Sequence, residues 1–367
     1  MHPMTSRQRR SNNQFKNAPL DLALQGGGSH GAFTWGVLDR LLQDDTLAID
    51  GVSGTSAGAL NAAVMATGWA DGGRESARRA LRAFWLDLAG QGGCFGNPAV
   101  TWPHGQASNP WVAWAALGGL HMDQNPWQAW TQQFLRAFSP YQFNPFDINP
   151  LRQVVARHVH VPALRKGPLS LFVTATAVRS GQPRVFHRDD LSVDALLASS
   201  CLPQLFRAVE IDGQPYWDGG YSGNPSIWPL IYETAALDVM LVKINPLLRP
   251  DLPDTSEEIA DRINEITFNA GLMAEMRAIG FVQRLVQQGR LGQGQYKNLR
   301  LHMIADEEQL AQLHPSSKLN TERGFIEHLH GLGLGAAERW LDQHRADIGQ
   351  RSTLDPAATF LAPRGVA

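Results

Sequence analysis

Apolar and polar positions along the chain change period several times, and each change marks an element. After the polar start MHPMTSRQRRSNNQFKNAP, the run Leu20-Asp21-Leu22-Ala23-Leu24 reads as a short strand. Ala32, Phe33, Gly36, Val37, Leu38, Leu41 and Leu42 then fall at helical spacing. Ile49 to Ser53 reads as a second strand and Ala57 to Thr67 as a helix of small residues. Leu171 to Val178 (LFVTATAV) is a buried strand, and Arg184-Val185-Phe186 begins another after the Ser180-Gly181-Gln182-Pro183 turn. Asp238 to Ile244 (DVMLVKI) reads as the last central strand and Leu299 to Ile304 as an edge strand. This alternation predicts a mostly parallel sheet with helices packed on its faces.

Two further helices close the pattern. Thr255-Ser256-Glu257-Glu258 spells a capping box. It opens a long helix whose Ile259, Ile263, Ile266, Met273, Met276, Ile279, Val282 and Val286 form one stripe, expected to face the core. Thr321 to His344 is the second helix. Residues 85 to 150 break the rhythm: Trp85, Trp102, Trp111, Trp114, Trp127 and Trp130 are six of the eleven tryptophans. This segment reads as an insertion that either caps the core or walls an apolar pocket. The expected organisation is a disordered tail over 1–18, a main domain over 19–250 with the aromatic-rich cap insertion at about 85–150, a mainly helical region over 251–350 packed on the core, and a tail over 351–367.

Composition narrows the class. The 367 residues are 43% hydrophobic and 18% charged with a formal net charge of −2, which gives no electrostatic case for nucleic acid. Cys94 and Cys201 carry no C-x-x-C or zinc spacing and fit a reducing compartment. The N-terminus lacks an apolar h-region, and no run approaches the roughly 18 apolar residues of a spanning helix. A cytoplasmic protein is expected, peripheral to a membrane at most. Asp44-Asp45, Glu257-Glu258, Glu307-Glu308, His158-x-His160 and His328-x-His330 read as structural or solvated groups, so neither a metal nor a cofactor is expected.

Three motifs carry chemistry. Gly26-Gly27-Gly28-Ser29-His30-Gly31 follows the first strand, and its spelling suits a dinucleotide pyrophosphate or an oxyanion held by backbone N–H groups. Gly54-Thr55-Ser56-Ala57-Gly58 is a G-x-S-x-G between a strand and a helix, the setting in which a sharp turn presents a serine hydroxyl. Asp218-Gly219-Gly220 is by itself a turn sequence; beside the other two it supplies a base for Ser56.

In this order, with Ala198-Ser199-Ser200-Cys201-Leu202-Pro203-Gln204-Leu205-Phe206 ahead of the Asp-Gly-Gly, the motifs resemble those of the patatin-like phospholipases over roughly residues 20 to 245. The resemblance implies a three-layer α/β/α fold and a serine esterase acting on acyl lipids, the expected partner. It also implies Ser56 as nucleophile, Asp218 as general base, and the backbone at Gly26, Gly27, Gly28 and Gly31 as oxyanion loop. Gly54, Gly58, Gly219 and Gly220 support the motifs. One letter departs: the family's loop commonly has Arg or Lys before its last glycine, and here His30 stands there. His30 reads either as a helix-start residue packed on the loop or as a titratable substitute for that cation.

Three rivals compete. An ordinary α/β-hydrolase triad would draw its histidine from His302, His314 or His328. A dinucleotide-binding oxidoreductase needs an acid at the end of the second strand, yet Asp50 stands at its start and Ser53-Gly54 at its end. A non-enzymatic lipid-binding relative has no need of Ser56, Asp218 and the glycine loop together.

Overall fold

The computed structural model describes residues 18–90, 139–249, 251–291, 296–313 and 315–362. Its central strands are buried on both faces, and the side-chain alternation of a strand divides the core in two. On β1 (Pro19–Leu24), Leu20, Leu22 and Leu24 enter one apolar cluster and Ala23 the other. On β7 (Asp238–Val242), Met240 and Val242 join the first cluster and Val239 and Leu241 the second.

Helices cover both faces. On the first lie α1 (Gly31–Gln43), α2 (Ala57–Gly90) and the late helix α6 (Arg323–His344). On the second lies α5 (Ser256–Gln287) with the segment carrying Leu354 and Phe360. The result is the expected three-layer α/β/α sandwich. In α2 the helix breaks at Gly72 and Gly73, where Gly73 has φ +72°.

The remaining elements are β2 (Ala48–Thr55), α3 (Pro150–His158), β3 (Ser170–Ala177), β4 (Pro183–Phe186), α4 (Val193–Ser199), β5 (Val209–Ile211), β6 (Gln214–Asp218) and β8 (Arg300–Ile304). The sheet runs β5-β6-β3-β2-β1-β7-β8, with β4 also paired to β3. The pairs β1–β2, β1–β7, β2–β3 and β7–β8 are parallel; those of β3 with β4 and β6, and of β5 with β6, are antiparallel.

One detail of register positions the chemistry. Thr174 of β3 pairs with Thr55 of β2 on one edge and with Val185 of β4 on the other. The next residue, Ala175, pairs with Arg184 of β4 and with Asp218 of β6. A strand has two edges, so β6 occupies the same edge of β3 as β2. The two strands meet end to end, with Thr55 and Asp218 at the junction.

Several expectations change here. The long-helix stripe does not all face the core: Ile259, Ile263 and Ile266 are 44%, 57% and 54% exposed. The buried seam of α5 is Glu265, Phe268, Asn269, Leu272, Met276 and Ile279. Its polar members are satisfied there, Glu265 by Arg249 and Arg262, and Asn269 by Gln25 and the Pro246 carbonyl. The supposed tail from 351 is packed as far as Phe360, which is buried with Leu354. The region after 250 also completes the sheet by supplying β8. Trp85 lies on α2 rather than in an insertion, and is buried with its indole N–H donated to Asn61 Oδ1 (2.9 Å). Trp102, Trp111, Trp114, Trp127, Trp130, Cys94 and the tail at 1–17 lie outside the described residues.

The late helix is held by close approach. A Cβ on Gly333 would lie 1.9 Å from the Phe33 carbonyl oxygen, and one on Gly36 would lie 2.0 Å from that of His330. Only glycine allows α1 and α6 to touch backbone to backbone there.

Candidate active site

Ser56 sits between the end of β2 and the start of α2 with φ +53°, a left-handed conformation costly for a non-glycine residue. The glycines of the motif permit the surrounding contacts. A Cβ on Gly54 would stand 2.6 Å from Gly58 backbone, and one on Gly58 would stand 2.2 Å from the Leu24 carbonyl oxygen. The elbow is thereby pressed onto the end of β1, with the positive end of the α2 dipole behind the serine. Ser199, at the end of α4, locks the turn: its hydroxyl accepts the Ser56 N–H (2.9 Å) and donates to the Thr174 carbonyl (2.6 Å).

Asp218 is fully buried at the end of β6. Its Oδ1 accepts the Gly220 N–H at 2.7 Å. Its Oδ2 is buried and completes no hydrogen bond of ordinary geometry among the described residues. Burial pushes the carboxyl pKa up to about 7 from 3.8, and the Ser56 hydroxyl, the Gly220 N–H and the charge of Lys318 offset only part of that effect. Gly219 is fixed by the strand junction, where a Cβ would lie 2.1 Å from the Thr174 carbonyl oxygen. A Cβ on Gly220 would enter the Phe268 ring at 2.3 Å.

The glycine loop lies over the serine. A Cβ on Gly26 would be 2.7 Å from that of Ser56. The Gly26 N–H is already engaged, donating to Asn224 Oδ1 at 2.6 Å. Its carbonyl accepts from Asn245 Nδ2 (2.7 Å) and Asn224 Nδ2 (3.3 Å). Gln25 holds the strand end beside it, accepting the N–H groups of Ile244 (2.9 Å) and Asn245 (2.8 Å). The N–H groups of Gly27 and Gly28 donate to no other described group, and both residues line the cavity. Gly28 has φ +59°, which presents successive N–H groups to one side. Gly31 begins α1 against Ala57, where a Cβ would lie 2.6 Å from the alanine's own.

His30 is buried, donor or acceptor to Ser317 Oγ at 2.7 Å, with its ring 6.2 Å from that of Phe325. Burial and the nearby charges of Lys318 and Arg249 lower its pKa to about 3. It is neutral and packs the loop.

A cavity of about 910 Å³ joins these groups, with Ser56, Asp218, Gly27 and Gly28 in its wall. Leu60, Phe84, Trp85, Leu88, Leu151 and Leu205 give it an apolar side. No histidine lines it among the described residues. His302 is buried within the sheet and bonded to Asp238 Oδ1 (3.0 Å), His328 is exposed on α6, and His314 lies outside the described residues. Asp50 accepts the Ala235 N–H near the start of β2, while that strand ends at Thr55.

Sequence reasoning did not find Gln25, Asn224, Asn245 or Lys318. Gln25 and Asn224 adjoin quoted motifs, but an amide that serves the loop reads in sequence like any loop amide. Asn245 and Lys318 reach the site from strands and turns remote along the chain.

A family model described as patatin-like phospholipase matches residues 22–231. VipD from Legionella pneumophila is similar in structure at 13% identity and TM-score 0.40, over 90% of this chain and 67% of that one. ExoU in its complex with SpcU, from the type III secretion system of Pseudomonas aeruginosa, is similar at 16% identity and TM-score 0.30, over 86% of this chain. This chain spans about half the length of that protein, 52%. No curated protein matches the chain. The matched segment covers more than half of the 367 residues and holds the glycine loop, the serine elbow and the aspartate, and the chain belongs to the patatin-like phospholipase family.

Proposed function

We propose that this protein is a lipid acyl hydrolase that cleaves carboxylic esters through a Ser56–Asp218 dyad. The observation that carries the reading is the meeting of β2 and β6 on one edge of β3, which brings a strained serine and a buried carboxyl to one wall of a largely apolar cavity.

Asp218 accepts the hydroxyl proton as Ser56 Oγ attacks the ester carbonyl. The Gly27 and Gly28 N–H groups receive the developing oxyanion, and each such donor is worth about 3 kcal/mol in comparable sites. Collapse of the tetrahedral intermediate expels the alcohol, which takes the proton from Asp218. Water, deprotonated by Asp218, then attacks the acyl-enzyme; the bond to Ser56 Oγ breaks, Asp218 returns the proton to that oxygen, and the fatty acid leaves. A carboxyl with its ordinary pKa is a weak base for a serine, so the burial that lifts Asp218 to about 7 supports this role.

The test is covalent labelling of the folded protein by a fluorophosphonate, located by peptide mass analysis. The adduct is expected on Ser56, absent in S56A and greatly slowed in D218N. A folded protein that takes no label at Ser56 overturns the proposal.

A further inference from the structure

The neutral His30 leaves the glycine loop without a cation of its own. The structure brings one from elsewhere. Lys318 belongs to a short turn at Pro315–Leu319, outside the segment that matches the family. The turn is docked on the loop, because a Cβ on Gly28 would stand 2.3 Å from the Lys318 carbonyl oxygen. The Lys318 side chain lines the same cavity as Ser56 and Asp218. Its Nζ donates to Asn245 Oδ1 at 2.8 Å, and Asn245 in turn holds the Gly26 carbonyl.

An ammonium has three N–H donors. One is used by Asn245, and the Phe268 ring lies 5.9 Å from the charge. By accessible surface Lys318 is half-buried, because it opens on the cavity. Its surroundings are nevertheless dense enough that desolvation lowers its pKa, with Glu265, Asp261 and Asp218 acting to hold the charge and Arg249 opposing it. Glu265 is itself bonded to Arg249 (2.6 Å) and Arg262 (3.2 Å). Arg249 and Arg262 are thus paired with Glu265 and do not line the cavity, whose wall Lys318 shares with Asp261 and Asp218. Lys318 is the one cation among the described residues of that wall, and its spare donors offer charge-assisted hydrogen bonds to an anionic ligand.

We propose that Lys318 is the specificity-determining residue of the cavity and binds the phosphate of a lipid substrate while the ester lies over Ser56. This rests on the hydrolase reading above. It selects lipids that carry a phosphate over neutral acylglycerols with the same acyl chain.

Decanoyl lysophosphatidic acid and monodecanoylglycerol differ only in the phosphate and make the matched pair for the test. K318M is expected to lower kcat/KM on the lysophosphatidic acid by about 10- to 100-fold, mostly through KM, as for the loss of a charge-assisted hydrogen bond. Loss of Lys318 also removes a charge that lowers the Asp218 pKa and the bond to Asn245, so turnover of monodecanoylglycerol falls too. The readout is the ratio of the two kcat/KM values at about pH 9, where Asp218 is ionised, and it should drop about tenfold. K318R, which keeps the charge, should retain most of the preference. Equal losses on both substrates, or no loss on the phosphate-bearing one, overturn the proposal.

A binding arm separates this inference from the hydrolase reading. S56A and S56A/K318M are titrated with lysophosphatidic acid, inorganic phosphate and decanoate, following intrinsic tryptophan fluorescence. Tighter binding of lysophosphatidic acid that depends on Lys318 supports the proposal even where the wild type turns over neither ester, an outcome that removes the hydrolase reading alone. Inorganic phosphate bound as tightly as the lipid, or decanoate alone sensitive to Lys318, overturns it.

Discussion

In the proposed mechanism Ser56 is acylated only while Asp218 is ionised, so the environment of one carboxyl sets the pH response of the whole reaction. Burial lifts that carboxyl from 3.8 to about 7, and Ser56, Gly220 and Lys318 pull it back only in part. A raised carboxyl loses its proton late, so activity must rise with pH and level off above about 7. Below that point the ionised fraction drops about tenfold per unit, reaching about one hundredth at about pH 5. The second-order rate of fluorophosphonate labelling reports this step without product release, read by mass spectrometry between about pH 4.5 and 9. A histidine base would give a limb in the same range. Two controls separate them: a carboxyl midpoint is nearly independent of temperature, whereas an imidazole midpoint is not, and D218N should abolish the limb. A midpoint near 4, or a limb that survives in D218N, refutes the assignment of Asp218 as the perturbed base.

The same carboxyl destabilises the fold. Its shift of about three units is on the order of 4 kcal/mol for the ionised form. Below about pH 4 folded and unfolded states both hold the proton; between 3.8 and about 7 only the folded state does, so stability falls as pH rises, and above about 7 the cost is complete. D218N should therefore gain on the wild type in thermal stability between about pH 4 and 8, and a gap that does not change with pH contradicts this. At the α1–α6 contact, G333A should cost about 3 kcal/mol in chemical denaturation, because its Cβ would meet the Phe33 carbonyl oxygen at 1.9 Å. G331A, with nothing within 4 Å, should be neutral or slightly stabilising; similar effects at the two positions would refute the close approach. I263S, on the exposed face of α5, should shift stability by less than about 0.5 kcal/mol, where a core position would cost several times more.

Much was written locally. Strand, glycine loop, helix, strand, elbow and helix follow one another within residues 19–90, and each is set by short-range periodicity and by glycines whose Cβ would collide with a neighbouring backbone. Ser56 is legible for that reason: its strain and its setting come from adjacent residues. Asp218 taken alone is legible only as a turn; the other two motifs and the family resemblance named it as a base, and the sheet register puts the end of β6 against the end of β2.

The α5 stripe shows the opposite case. Isoleucine spacing pointed Ile259, Ile263 and Ile266 inward, but Glu265 and Asn269 hold the buried seam, because Arg249, Arg262 and Gln25 reach them from distant parts of the chain. Periodicity records which side chains are apolar and cannot record which polar ones will find partners. The amides Asn224 and Asn245, the neutral state of His30 and the placing of Lys318 in the cavity belong to that second kind of information. The sequence by itself determined the order of elements, the serine elbow and the glycine loop, since these depend on neighbours along the chain. The tertiary structure alone decided which groups serve them, since desolvation and hydrogen bonding between remote residues exist only once the chain has folded.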